Sequence, residues 1–137
     1  MKNVQPSDNI FVAASAIPNA GRGVFAAKPI RAGDVIETCP VIAVPLSDSS
    51  NDDEKGLLTS YFFYFGDGLA MVLGYGSLYN HSYEPNATYD KKPSEGVVAF
   101  RAIADIAAGE EITVNYNNGD PNNKSTPMNR GVPPANV

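Results

Sequence analysis

The string Ile-x-Ala-Gly-acid-x-Ile occurs twice, at Ile30–Ile36 and again at Ile106–Ile112, with the first isoleucines 76 positions apart (30 to 106). A glycine followed by an acid, set between branched apolar residues, is the chemistry of a tight turn with a strand on either side. The glycine takes the positive φ that the turn demands, and the isoleucines anchor the strands in a core. Two similar strand-turn-strand units are expected, although two unrelated turns of favoured chemistry would leave the same trace. With 12 Gly and 11 Pro in 137 residues, the chain has many turns and little room for long helices. The expected class is mainly β, in one compact domain able to bury roughly two-thirds of its unfolded surface.

The remaining apolar runs agree. Residues 9–14 (NIFVAA) and 24–27 (VFAA) read as strands joined by a glycine-bearing loop, PNAGRG, at 18–23. After the turn at Ala32-Gly33-Asp34, the β-branched residues through Val44 read as two strands, with Pro40 and Pro45 at strand ends or edges. SDSSNDDE at 47–54 is polar and acidic, and LLTSYFFYF after it suits a short helix or a buried strand. LAMVLGYGSLY continues in strand-and-turn character, and VVAFRAI and EEITVNY read as strands. Beyond Tyr116 the sequence is Asn-, Gly- and Pro-rich with few branched apolar residues, which predicts a domain at 1–118 and a tail at 119–137. Such a tail is mobile or orders only against a partner.

Charge and ligand inventory narrow the function. Ten Lys+Arg against 15 Asp+Glu give a formal charge of -5, and the pI is near 4.7. That sign opposes docking on nucleic acid or an anionic membrane and favours a basic partner. With one Cys and one His, no N/S cluster for structural zinc can be assembled, so no metal is expected. The N-terminus lacks the apolar stretch of a signal peptide, and no segment approaches the roughly 20 apolar residues of a membrane helix. The chain reads as soluble and intracellular.

The single histidine, His81, lies in YNHSYEPNATY at 79–89. As a general base it would need a hydroxyl within reach, but Ser82 points the other way in an extended segment and no G-x-S-x-G elbow occurs. Its plain reading is a buried donor to backbone carbonyls. Gly21-Arg22-Gly23 can bring backbone N–H groups close to an anionic group, yet it lacks the rest of a dinucleotide fingerprint. Seven tyrosines and no tryptophan, concentrated from Tyr61 onward, offer aromatic faces and hydroxyls together.

Four motifs in order, NAGRGVFA at 19–26, IRAGDVIE at 30–37, YNHSYEPNA at 79–87 and GEEITVNY at 109–116, resemble the SET-domain protein-lysine N-methyltransferases. The likeness spans about residues 10–116, and the chain resembles a bare SET domain like the compact viral and bacterial members, without a cysteine-rich post-SET segment. It implies a β-clip-like fold of small curled sheets with a pseudoknot and one or two short helices. It also implies S-adenosylmethionine as methyl donor, with S-adenosylhomocysteine as product and no metal. By the same resemblance, Gly21, Arg22 and Gly23 lay their backbone against the methionine moiety, and Asn80 and His81 contact the cofactor. Tyr116, ending the catalytic strand, has its hydroxyl at the methyl-transfer channel and also borders the cofactor. Tyr89 matches a channel position that influences how many methyl groups are added.

The implied reaction is an in-line displacement from a sulfonium to a neutral lysine amine, which requires alignment and no covalent intermediate. Free lysine has a pKa of roughly 10.4, so the site has to favour the neutral amine by desolvation and like-charge repulsion. The expected substrate is a lysine in a basic protein, histone-like or ribosomal, and a homodimer is compatible with the sequence. Tyr83 stands where many relatives carry Cys, so the tail or a second protomer would have to cover the adenine. The alternative is a non-catalytic SET-like module that binds a basic protein or S-adenosylmethionine without turnover.

Overall fold

The computed structural model describes residues 3–45 and 58–127, and in it the two repeated units meet. Ile30 and Ile106 exchange both backbone hydrogen bonds, each N–H donating to the other's carbonyl at 2.8 Å. Each turn closes alike: Asp34 N–H donates to Arg31 O at 3.0 Å, and Glu110 N–H to Ala107 O at 3.1 Å. The acid then turns its carboxylate back on the first amide of its own turn, Arg31 N–H at 3.4 Å in one unit and Ala107 N–H at 3.0 Å in the other. Gly33 and Gly109, at φ 93° and 85°, supply the left-handed conformation that the third residue of such a turn requires.

Among the described residues, nine strands carry this frame. In chain order they are β1 Ile10–Ala14, β2 Arg22–Ala26, β3 Val35–Val44, β4 Phe63–Phe65, β5 Gly68–Val72, β6 Asn80–His81, β7 Ala87–Lys92, β8 Val97–Ala102 and β9 Glu111–Val114. One sheet runs β1-β2-β9-β6 and the other β4-β5-β3-β8-β7. The repeat explains the arrangement. The strand entering each turn pairs antiparallel with the strand leaving the other turn, β2 with β9 and β8 with β3. Ala26 and Ala102, at matching places before the turns, accept from Gly109 N–H at 2.7 Å and Gly33 N–H at 2.8 Å.

The core lies between the sheets, where Val24, Ile36, Val98, Phe100, Ile106 and Ile112 are buried with Tyr79. Phe100 stacks on Tyr79 with ring centroids 4.3 Å apart, a parallel contact that fixes the Tyr79 ring as well as burying it.

Residues 35–44 form one strand of ten residues where two were expected, and Pro40 lies inside it. The reason is a change of partner. β3 pairs with β8 up to Pro40 and with β5 from Val41 onward, so the missing N–H falls where one ladder gives way to the next. The LLTSYFFYF segment is neither one helix nor one strand, because a 3-10 turn over Leu58–Tyr61 leads directly into β4. Residues 117–127 fold back on the domain through side-chain bonds from Asn115, Asn117 and Tyr83. The acidic stretch 47–54 and residues 128–137 of the expected tail lie outside the described residues. Among the described residues, no helix is long and apolar enough to cross a membrane.

Candidate functional site

The site is organised by a strand of two residues. β6 pairs parallel with β9, Asn80 opposite Thr113 and His81 opposite Val114, while the other edge of β9 takes β2. So short a parallel pairing needs reinforcement, and the Pro85-Asn86 turn provides it. Asn86 accepts from Thr113 N–H at 2.9 Å through Oδ1 and donates from Nδ2 to Glu111 O at 2.9 Å, so its carboxamide acts as a further rung of the ladder. Ser82 N–H adds a bond to Val114 O at 2.9 Å.

Parallel pairing brings Asn80 against the glycine loop. Asn80 is 5% exposed, and its Nδ2 donates to Arg22 O at 2.9 Å and to Glu111 Oε2 at 3.2 Å. Ser15 Oγ donates to the other Glu111 oxygen at 2.6 Å, and Ser15 N–H to Gly21 O at 2.9 Å, which closes the loop at its base. Gly21 is left-handed at φ 76°. Gly23 has to be glycine for a different reason, since a Cβ there would fall 2.9 Å from both Asn80 Nδ2 and the Glu111 carboxylate. The Arg22 side chain is exposed, and Arg22 contributes its carbonyl to this network.

His81 departs from the plain expectation of a donor to backbone carbonyls. Its Nδ1 accepts from Tyr116 N–H at 3.0 Å, which places the proton of the neutral ring on Nε2. That Nε2–H is buried and has no hydrogen-bond partner, alone in this among the described residues. The ring meets Tyr83 edge-on at 4.5 Å and Tyr116 at 5.2 Å. Burial lowers the His81 pKa from its ordinary 6.5, and protonation at Nδ1 would set an N–H against the Tyr116 amide.

Tyr116 follows β9 and is held at both ends: its N–H by His81, and its hydroxyl, donated to Tyr79 O, at 2.6 Å. Burial raises its phenol pKa well above the ordinary value, with Tyr89, Tyr61 and Glu111 adding to the shift. Tyr116 is therefore a protonated phenol at neutral pH. Tyr89 is buried in β7, edge-on to Phe63 at 5.2 Å and tilted against Phe100 at 5.5 Å, and burial pushes its phenol up as well. The Lys91 ammonium lies 5.9 Å from the Tyr89 ring centroid and donates to Asn118 Oδ1 at 2.7 Å.

The structure thus gathers Gly21, Arg22, Gly23, Asn80, His81 and Tyr116 into one hydrogen-bonded corner, and Tyr89 packs on Phe63 and Phe100 instead of bonding to it. Two carboxylates that the sequence did not single out are structural. Glu111 ties the glycine loop to Asn80, and Glu37, 7% exposed, accepts from Tyr79 OH at 2.8 Å. A lone acid amid apolar strand residues, as in VIETCPV, is the sequence mark that could have singled out Glu37. Ser82 Oγ caps its own turn by accepting from Glu84 N–H at 3.0 Å.

The chemistry of this corner suits S-adenosylmethionine. Carbonyls at Arg22 and Tyr79, the Glu111 carboxylate and the faces of His81, Tyr83 and Tyr116 favour a sulfonium cation. The unpartnered Nε2–H of His81 is a donor suited to an acceptor on a ligand. Among the described residues, no group of three or more His, Cys, Asp or Glu is arranged to hold a metal ion.

Known proteins resemble this chain in sequence and in fold. A SET domain profile matches residues 21–117. The Schizosaccharomyces pombe histone-lysine N-methyltransferase, H3 lysine-37 specific, is 30% identical over 97 residues, covering 70% of this chain and 66% of its own length. A candidate histone methyltransferase of Plasmodium falciparum has a similar fold, with TM-score 0.64 and 27% identity over 82% of this chain and 95% of that one. The ctPRC2 structure in an autoinhibited conformation bound to S-adenosylmethionine has TM-score 0.64 and 23% identity over 82% of this chain and 16% of that one, a likeness of fold alone. With the profile extending over more than two-thirds of its residues and the same mainly β architecture in its structural neighbours, the chain belongs to the SET-domain family.

Proposed function

We propose that this protein is an S-adenosylmethionine-dependent protein-lysine N-methyltransferase acting on a basic protein. The observation that carries the reading is the Tyr116 hydroxyl, oriented by the Tyr79 carbonyl, beside the Asn80–His81 segment that is itself tied to the glycine loop. Gly21, Arg22, Gly23, Asn80, His81 and Tyr116 would hold the cofactor, which when bound supplies a methyl group on a sulfonium. Tyr116 is the catalytic residue and Tyr89 narrows the channel.

Tyr116 is not a base, because burial keeps its phenol protonated. With its proton committed to Tyr79 O, the phenolic oxygen presents lone pairs to the incoming amine and orients it for in-line attack. The buried tyrosines exclude water, which favours a neutral lysine over an ammonium. A formal charge of -5 favours a basic substrate, and the histone-lysine specificity of the fission-yeast relative supports a histone-like one.

Residues 119–127 form a wall of the cofactor corner in this reading. Tyr83 OH donates to Ser125 O at 3.1 Å, Asn117 Nδ2 to the same oxygen at 2.8 Å, and Lys124 Nζ to Tyr83 O at 2.5 Å, so the segment is stapled to the residues flanking His81 and Tyr116.

The test combines calorimetry with S-adenosylmethionine and transfer of labelled methyl to a panel of basic proteins, for the native chain and Tyr116→Phe. Saturable binding, transfer by the native chain and loss of turnover in Tyr116→Phe are expected. Binding without transfer to any basic protein would replace the enzyme with a non-catalytic binding module, and absence of both would end the reading.

A further inference from the structure

Glu37 takes no direct part in the site described above, yet it is among the most constrained side chains of the molecule. It lies in β3 at 7% exposure, with no cation paired to it in the described ion pairs, and its two oxygens accept from two residues of the turn between β5 and β6. Tyr79 OH donates to Oε1 at 2.8 Å and Tyr75 N–H to Oε2 at 2.9 Å. The buried Cys39 thiol lies two residues along the strand, where burial, and after it the neighbouring carboxylate, raises its pKa. The approach is close enough to dictate Gly74, where a Cβ would stand 2.4 Å from Oε2 on a backbone already left-handed at φ 62°. Removing a buried carboxyl from water is costly, and replacing such a group together with its hydrogen-bond partners by apolar groups of the same shape is often neutral or stabilising, so stability alone does not require this arrangement.

What Glu37 does hold is Tyr79. The Tyr79 ring is clamped between the carboxylate at its hydroxyl and Phe100 at its face. The carbonyl of that same residue accepts the Tyr116 hydroxyl at 2.6 Å. Burial, and after it the neighbouring carboxylate, keeps the Tyr79 phenol protonated, so it stays a donor to Glu37 over the whole working range of pH.

We propose that Glu37 is a positioning residue for methyl transfer: by anchoring the Tyr75–Tyr79 turn and the Tyr79 ring, it sets where the Tyr79 carbonyl holds the Tyr116 hydroxyl. The inference rests on the methyltransferase reading, and it places one element, the Tyr79 carbonyl, between the carboxylate and the reacting groups. A hydroxyl displaced by a fraction of an ångström still permits cofactor binding and loses alignment with the amine.

Glu37→Gln and Tyr79→Phe test it, since the first keeps side-chain shape and the second keeps the ring on Phe100. Each is expected to lower kcat by about tenfold while KM for S-adenosylmethionine stays within about twofold, the pattern of a lost alignment. On a Tyr116→Phe background the same changes should cost less than about twofold more, because the hydroxyl to be positioned is gone. Full kcat in Glu37→Gln, or an equal loss on both backgrounds, overturns the proposal, as does failure of both variants to fold. A second readout does not depend on turnover: the Tyr116 resonance in protein carrying ring-labelled tyrosine should move in both variants, and an unmoved resonance overturns the positioning role. If the native chain transfers no methyl group, the proposed function fails, and the resonance still decides whether Glu37 positions Tyr116.

Discussion

The two Ile-x-Ala-Gly-acid-x-Ile units are built alike and end differently. In both, the acid closes the turn, the glycine is left-handed, and the preceding strand donates and accepts at matching alanines. The divergence begins past the second isoleucine. In the first unit the chain reaches Pro40 and continues straight to Val44, because β5 takes over as partner where β8 leaves off. In the second, the strand stops at Val114, and the buried Asn115 diverts the backbone. Its Oδ1 accepts from Asn117 N–H at 2.9 Å, and its Nδ2 donates to Asn123 O at 2.7 Å. Tyr116, at the place that Pro40 has in the first unit, is thereby released from the ladder and passed to His81. The turns make a frame, and the residue four places beyond the frame's last isoleucine belongs to the candidate site.

That equivalence can be broken by experiment. Ile106→Ala and Ile30→Ala remove side chains that are 1% and 6% exposed, and each should cost about 3 kcal/mol in urea unfolding. A loss confined to one of them would show that the frame rests on a single unit. Next in size, Tyr116→Phe should lower turnover by about a hundredfold while stability falls by only about 1 kcal/mol, the worth of one hydrogen bond. Pro40→Ala, at the matching place in the first unit, should leave turnover within about twofold. A reversal of those two effects would put the working residue in the wrong unit.

Gly33→Ala and Gly109→Ala should each cost about 1–2 kcal/mol, from the left-handed backbone alone. An added Cβ meets nothing within 4 Å at either position, so equal losses sharpen the comparison and unequal ones break it. The smallest effect concerns pH. Burial lowers the folded-state pKa of His81 below the ordinary 6.5, so the unfolded chain takes up the proton first as pH falls. The stability His81 contributes is complete above 6.5 and declines as pH drops from there toward the folded-state value. Urea unfolding compared above pH 6.5 and at successively lower pH should show the slope, and His81→Asn, which keeps an acceptor near the Nδ1 position, should flatten it.

The strands β1, β2, β8 and β9 were legible because alternation and turn chemistry are local properties of the chain. Glu37 was hidden by a local exception. A bulge between Val35 and Glu37 breaks the alternation, so that Ile36 and Glu37 both turn inward where a regular strand would send one of them out. Asn86 was legible as a turn residue but not as a rung between Glu111 and Thr113, since those residues are more than twenty positions away. His81 was singled out through its motif, while its role as acceptor for Tyr116 depends on a parallel pairing of two residues that no periodicity announces.

By itself the sequence determined the class of the fold, the two turns with their glycines, and the order of the motifs, because each depends on the conformational preferences of a few neighbouring residues. Only the tertiary structure decided that the two turns pair with each other through Ile30 and Ile106, that Pro40 lies in mid-strand, and that the Tyr116 hydroxyl is held by the Tyr79 carbonyl. Those facts join residues tens of positions apart, and what selects them is the need to satisfy every buried polar group at once, a condition that exists only when the whole chain is packed.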